Sequence, residues 1–229
     1  MPFGHTSSIP ARIYIVINSD VSAALLRSAR QGRPATLLIG AGCSISGGIP
    51  SAAEIVKRYR GQYEDDYARA EKNYLSDHPE DNNLAGIYPY FMSEIAPADR
   101  DGIINELIQR EKINWTHLVI AHLIKNKYFG RVLTVNFDRL ALKSAAFLNI
   151  FPSIYDRTAI KLAFEQNVIS EQEGAIFYLH GQGQAMPLTH RHEDSERHTG
   201  ELSDFLRDSL QRGPVIVVGY SGQSRSEEH

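Results

Sequence analysis

Four short apolar runs constrain this chain more than anything else in it, because each passes without a spacer into glycine or a polar residue. They are ATLLIG (35–40), RVLTVNF (131–137), GAIFYLHG (174–181) and PVIVVGYSG (214–222). A continuous apolar run of this length between turn signals suits a strand buried on both faces, as in a parallel sheet. Stretches with helical spacing lie between the runs, among them DGIINELIQRE, WTHLVIAHLIKN and DRLALKSAAFL. Strands alternating with helices predict an α/β fold with a Rossmann-like, mainly parallel sheet. Ligands of such sheets sit beyond the carboxyl ends of the strands. Those ends carry Gly40-Ala41-Gly42, Asn136 with Asp138, His180-Gly181, and Gly219-Tyr220-Ser221, so one convergent site is expected.

The rest of the chain is read around that sheet. RIYIVI (12–17) has the composition of a strand or an edge strand, and SDVSAALLRSARQG follows as a helix stopped at Gly32. SAAEIVKRY reads as a helix opened by a capping box, Ser51 with Glu54 three residues on. Residues 63–130 are mostly helical and too long for a simple crossover, which predicts a helical insertion over the sheet. The 229 residues, 42% of them hydrophobic, suit a single domain, 1–229, carrying that insertion. Cys43 is the one cysteine, which excludes an intrachain disulfide and a four-cysteine zinc site. A net charge of -3 gives no basic excess for nucleic acid, although a partner chain can supply one. The N-terminus lacks a secretory leader, and no run approaches the roughly 18 apolar residues of a membrane span. A cytoplasmic protein without membrane contact is expected.

The loop after the first run, GAGCSISGGIPSA (40–52), has the chemistry of a phosphate cradle. A strand, then Gly-Ala-Gly, then a helix start offers backbone N–H groups and a helix dipole to an anion. Gly40 and Gly42 let backbone approach a pyrophosphate with no Cβ in the way, and Ser44 can add a hydroxyl. The spacing departs from G-x-G-x-x-G, since the next glycines are Gly47 and Gly48. A tight turn with no ligand is the competing reading of the loop.

Together the motifs resemble the sirtuin family. GAGCSISGGIPS is similar to the signature Gly-Ala-Gly-x-Ser followed by Gly-Ile-Pro, TVNFD (134–138) to its Thr-x-Asn-x-Asp strand end, LHG (179–181) to its His-Gly, and VVGYSG (217–222) to its later Gly-x-Ser. They stand in family order from about residue 35 to 222, and look most like bacterial sirtuin-like NADases of anti-phage defence, which deplete NAD. The resemblance implies NAD as substrate, with no zinc. It places Gly40, Ala41, Gly42, Ser44, Ile49, Pro50, Asp138, Gly219 and Ser221 around the dinucleotide. It makes Asn136 and His180 catalytic: Asn136 holding the ribose hydroxyls or a water, His180 in the general-base place, and Asp138 on the carboxamide. Ser51-Ala52-Ala53 stand where sirtuin deacylases carry Asp-Phe-Arg, and this and the missing zinc cysteines count against protein deacylation. A binding module without turnover, or a deacylase or ADP-ribosyl transferase, are the alternative functions.

Other features have plainer readings. For His180 alone a satisfied core histidine competes, and Asn136 or Asp138 can also cap the helix that follows. THRHEDSERH (189–198), with His190, His192 and His198, reads as a solvated loop rather than a metal site, and Cys43 as a small buried filler. His117 and His122 read as partly buried packing, and YEDDYARAEKNY as a solvated helix. Only QSRSEEH follows the last motif. The expectation is therefore the N-terminal part of a longer protein, or a small subunit covered by assembly with itself or with an ATPase or Argonaute-like chain, as the resemblance implies.

Overall fold

In the computed structural model, which describes residues 18–79, 81, 83–171, 173–179 and 192–220, the chain is an α/β protein. Its strands are β1 (Ala35–Ile39), β2 (Phe129–Thr134), β3 (Ser153–Asp156), β4 (Ala175–Tyr178) and β5 (Val215–Val218). Its helices, among the described residues, are α1 (Asn18–Arg30), α2 (Ala52–Tyr59), α3 (Glu64–Asp77), α4 (Leu84–Glu94), α5 (Pro97–Gln109), α6 (Trp115–Lys125), α7 (Leu140–Phe147), α8 (Arg157–Glu165) and α9 (His192–Gln211). The strands form one sheet in the order β3-β4-β2-β1-β5, and every pairing is parallel. All four apolar runs are strands, as their composition predicts. RIYIVI lies outside the described residues.

Alternation along the strands builds two cores. Leu37 and Ile39 of β1, Val132 of β2, and Ile176 and Tyr178 of β4 pack with Ile120 and Ile124 of α6 and Ala141 of α7. Leu133, Ala175 and Phe177 face the other way, onto Ile160 of α8 and Leu202 and Phe205 of α9. The crossovers from β1 to β2 and on to β3 thus use one face, and those from β3 to β4 and β5 use the other. Neighbouring strands β2 and β4 lead from their carboxyl ends to α7 and α9 on opposite faces, which makes the crevice there the switch point where open α/β sheets bind ligands.

The helical insertion has a core of its own, and its bounds differ from 63–130. Ile55, Val56 and Tyr59 of α2 pack with Tyr74 of α3, Ile87, Phe91 and Met92 of α4, and Ile103, Ile104 and Leu107 of α5. So α2, which opens behind the glycine loop, belongs to the insertion, whereas α6 belongs to the sheet. The solvated helix read at YEDDYARAEKNY is α3, and it buries Ala70 and Tyr74.

Two further elements depart from the sequence reading. β3 is not anticipated, because four residues alternating between half-buried and exposed carry little pattern; its Tyr155 ring stacks on Phe177 of β4 with centroids 5.0 Å apart. The stretch 192–198, read as a loop, is the start of α9. The apolar stripe that marks a helix begins only at Leu202, so the first turns show no periodicity.

One buried charge ties the second core together. Arg131 of β2 is 2% exposed. Its Nε donates to Glu171 Oε1 at 2.8 Å, and its guanidinium also donates to Asp208 Oδ2 at 2.8 Å and Ser209 Oγ at 2.6 Å. The guanidinium carbon lies 5.2 Å from the Phe205 ring centroid. Breaking a buried ion pair by removing one partner costs several kcal/mol, but here Arg212 continues to bond both carboxylates, which are partly exposed. Arg131→Met is expected to cost about 2 kcal/mol or more of unfolding free energy, with the midpoint of a urea titration as the measurement.

Candidate functional site

The loops after β1, β2 and β5 meet over the sheet, and glycine makes the meeting possible. Gly40 N–H donates to Val218 O at 3.0 Å and Gly42 N–H to Gly219 O at 2.9 Å. A Cβ on residue 40 would stand 2.6 Å from Gly219 O, and one on residue 42 would stand 2.9 Å from Gly219 Cα. Gly219 itself has φ +66, and a Cβ there would meet Cys43 N at 2.5 Å. That is left-handed backbone in a space with no room for a side chain.

At Gly40 and Gly42 the room a side chain would take is filled by the end of β5. The amides are occupied too. Those of Gly40, Gly42, Cys43, Ser44, Gly47, Gly48 and Ile49 all donate to carbonyls of the protein, which leaves Ala41, Ile45 and Ser46 outside this set. Ala41 and Gly42 are nonetheless solvent-exposed, so they line the crevice from outside.

Beneath the loop lies a buried polar chain. Ser44 is fully buried, and its hydroxyl donates to Asp138 Oδ2 at 2.6 Å instead of pointing at a ligand phosphate. Asn136 Nδ2 donates to Gly40 O at 3.0 Å and to Ser44 Oγ at 3.1 Å. Asp138 Oδ1 accepts Leu140 N–H at 3.0 Å, so Asp138 also holds the first turn of α7, as its position before that helix suggests. Burial raises the Asp138 carboxyl above its ordinary range, against the hydrogen bonds from Ser44 and Leu140. Burial likewise pushes the Cys43 thiol up, and its Sγ lies 3.3 Å from Val218 O, which fits a space-filling residue.

Asn114 is a residue the sequence reading missed. It is the N-cap of α6, and its Oδ1 accepts His117 N–H at 3.0 Å. Its Nδ2 reaches back to Cys43 O at 2.8 Å and Ser46 Oγ at 3.0 Å, bracing the glycine loop from behind. An Asn before an apolar helix signals a cap, but nothing in the sequence signals the second pair of contacts. His117 is fully buried, with Nδ1 2.8 Å from Asn114 Oδ1, so Nδ1 carries the proton. Burial pushes its pKa down to about 4, with Glu111 opposing.

The structure thus brings together Gly40, Ala41, Gly42, Ser44, Asn136, Asp138 and Gly219. Ile49 and Pro50 lie farther along the loop, after Gly48, whose φ of +92 makes the turn. They line an open cleft of about 480 Å³ with Ile45, Gly48, Glu54, Lys57 and Arg58. His180 and Ser221 lie outside the described residues. Among the described residues no three or more His, Cys, Asp or Glu side chains stand together as a metal site, and no helix is long and apolar enough to cross a membrane. Comparison with models of known protein families and with curated proteins gave no match.

Two outcomes follow from the loop and its brace. Gly42→Val should lower the thermal midpoint by several degrees without any ligand, because its side chain meets Gly219 first; an unchanged midpoint in calorimetry would contradict the contact. For His117 the unfolded state takes up the proton first as pH falls. Stability should therefore be lost between pH about 6.5 and about 4, by up to about 3 kcal/mol, and His117→Gln should flatten that limb in urea titrations across pH.

Proposed function

We propose that the chain cleaves the nicotinamide–ribose bond of NAD, giving nicotinamide and ADP-ribose, as an effector that depletes NAD in bacterial anti-phage defence. The observation that carries this reading is Asn136. Its amide nitrogen is anchored to Gly40 O and Ser44 Oγ beyond the carboxyl end of β2, beside the switch point. Its Oδ1 takes no hydrogen bond from the described residues and is left to accept one from a ribose hydroxyl or a water. Cleavage of this bond passes through an oxocarbenium-like state, and fixed dipoles that hold the ribose and a water on its open face lower that barrier. The likeness of GAGCS, TVNFD, LHG and VVGYSG to the sirtuin motifs supports the same reading, and it makes His180 the general base. The half-exposed Val217 and Val218 on β5 support assembly, either with a second copy or with an ATPase or Argonaute-like partner.

A second reading is binding of NAD or an ADP-ribose derivative without turnover. It is favoured by the satisfied state of the buried chain: both Asn136 amide hydrogens and the Ser44 hydroxyl are spent inside the protein.

Nicotinamide release from NAD by the purified chain, alone and with its assembly partner, separates the two. On the first reading Asn136→Ala and His180→Ala each lower turnover by 10² or more while circular dichroism stays native, a typical loss for a positioned acid–base or dipolar group. Wild-type rates in either variant would remove that residue from the mechanism, and NAD binding with no nicotinamide released would leave the sensor reading.

A further inference from the structure

The open cleft beside the Gly-Ile-Pro turn has a chemistry of its own. One wall is Ile45, Gly48, Ile49 and Pro50; the other is the exposed face of α2, with Glu54, Lys57 and Arg58. These three side chains share that face because they lie three and four residues apart. Glu54 is already engaged: its Oε2 accepts from Ser51 N–H at 2.8 Å and from Ser51 Oγ at 2.9 Å, which holds its carboxyl below the ordinary range. Lys57 and Arg58 form no ion pair within 4 Å among the described residues, although Arg58 hydrogen-bonds the Tyr59 phenol and both cations act through space on the Glu54 carboxylate. The cleft thus carries two cations against one carboxylate, in a chain whose net charge is -3.

The glycine loop, by contrast, has spent most of its amides inside the protein. An anionic ligand reaching this end of the sheet finds the positive charge in the cleft, beside the loop amides of Ala41, Ile45 and Ser46 that lie outside those bonds.

We infer that Lys57 and Arg58 form a phosphate-binding subsite in this cleft, which takes the pyrophosphate of the dinucleotide or of its ADP-ribose product. The inference rests on the reading of the chain as an NAD-binding protein and names where that ligand's charge is held. Arg58 offers a planar fork suited to two phosphate oxygens, and Lys57 a mobile point charge. Ile45 and Pro50 present an apolar surface to the part of the ligand beside the phosphates.

The test uses the full chain and two probes: calorimetric titration with ADP-ribose, and broadening of the phosphorus resonances of inorganic pyrophosphate. Lys57→Gln, Arg58→Gln and the double variant are compared with Arg60→Gln, an exposed cation outside the cleft. The expected result is a loss of tenfold or more in affinity for both probes in the double variant, with intermediate losses in the single ones, a weaker dependence on salt, and no change in Arg60→Gln. Pyrophosphate broadening that depends on Lys57 and Arg58 without any ADP-ribose binding would uphold the subsite and overturn the dinucleotide reading. ADP-ribose binding within twofold of wild type in the double variant would overturn the subsite and leave the dinucleotide reading intact. A wild-type chain that binds neither probe would overturn both.

Discussion

The contact between the backbone of the glycine loop and the end of β5 holds the carboxyl edge of the sheet in its form. Gly42 donates to Gly219, Gly40 to Val218, and the three glycines come so close that a Cβ on any of them would stand within 3 Å of main chain. Side chains cannot make such an approach, so the positions of the loop atoms beyond it follow from backbone alone. Ser44 is placed under the loop by this contact, and Asn136 reaches Gly40 O because the loop is pressed down against the strands. Lost here, the register between the ends of β1, β2 and β5 is lost with it.

The polar residues at that edge spend much of their bonding capacity on one another. Asn136, Ser44, Asp138 and Leu140 form a continuous hydrogen-bonded run that is closed to solvent except where Asn136 can present its oxygen. Buried polar groups are costly unless paired, so a chain of this kind specifies a single arrangement of the loops. Asp138 shows the balance: burial raises its carboxyl while two donors pull it back. Fixed, dry dipoles are what a site needs if it is to meet a developing charge without reorganising. The charge available to an anion stands outside this network, on α2.

The helical insertion connects to the site through Phe137, which stands between Asn136 and Asp138 and packs on its core, and through single polar residues. α2 starts at the capping box of Ser51 and Glu54 directly behind the Gly-Ile-Pro turn, then turns its apolar face to α3, α4 and α5. Its polar face is left toward the cleft. On the way back to the sheet, Asn114 caps α6 and hydrogen-bonds the glycine loop from the opposite side. The loop between β1 and α2 is therefore clamped between β5, α6 and the start of the insertion.

The α/β class, the strands β1, β2, β4 and β5, the capping box of α2 and the choice of Gly40, Asn136 and Asp138 as residues at one edge were all legible in the sequence. Each depends on a local pattern: an apolar run, a cap at fixed spacing, a polar residue straight after a strand. The short edge strand β3 and the first turns of α9 were not legible, since neither carries an apolar period. Nor was the direction of Ser44, the brace from Asn114, the buried Arg131 or the filled space at Gly42, because each is decided by residues 40 to 177 positions away in the chain. Sequence determines which residues can form strands, turns and caps through interactions a few residues long. Whether a glycine faces a ligand or another loop, and whether a hydroxyl is offered or already bonded, is settled only when distant segments pack, for only packing decides which polar groups keep their water.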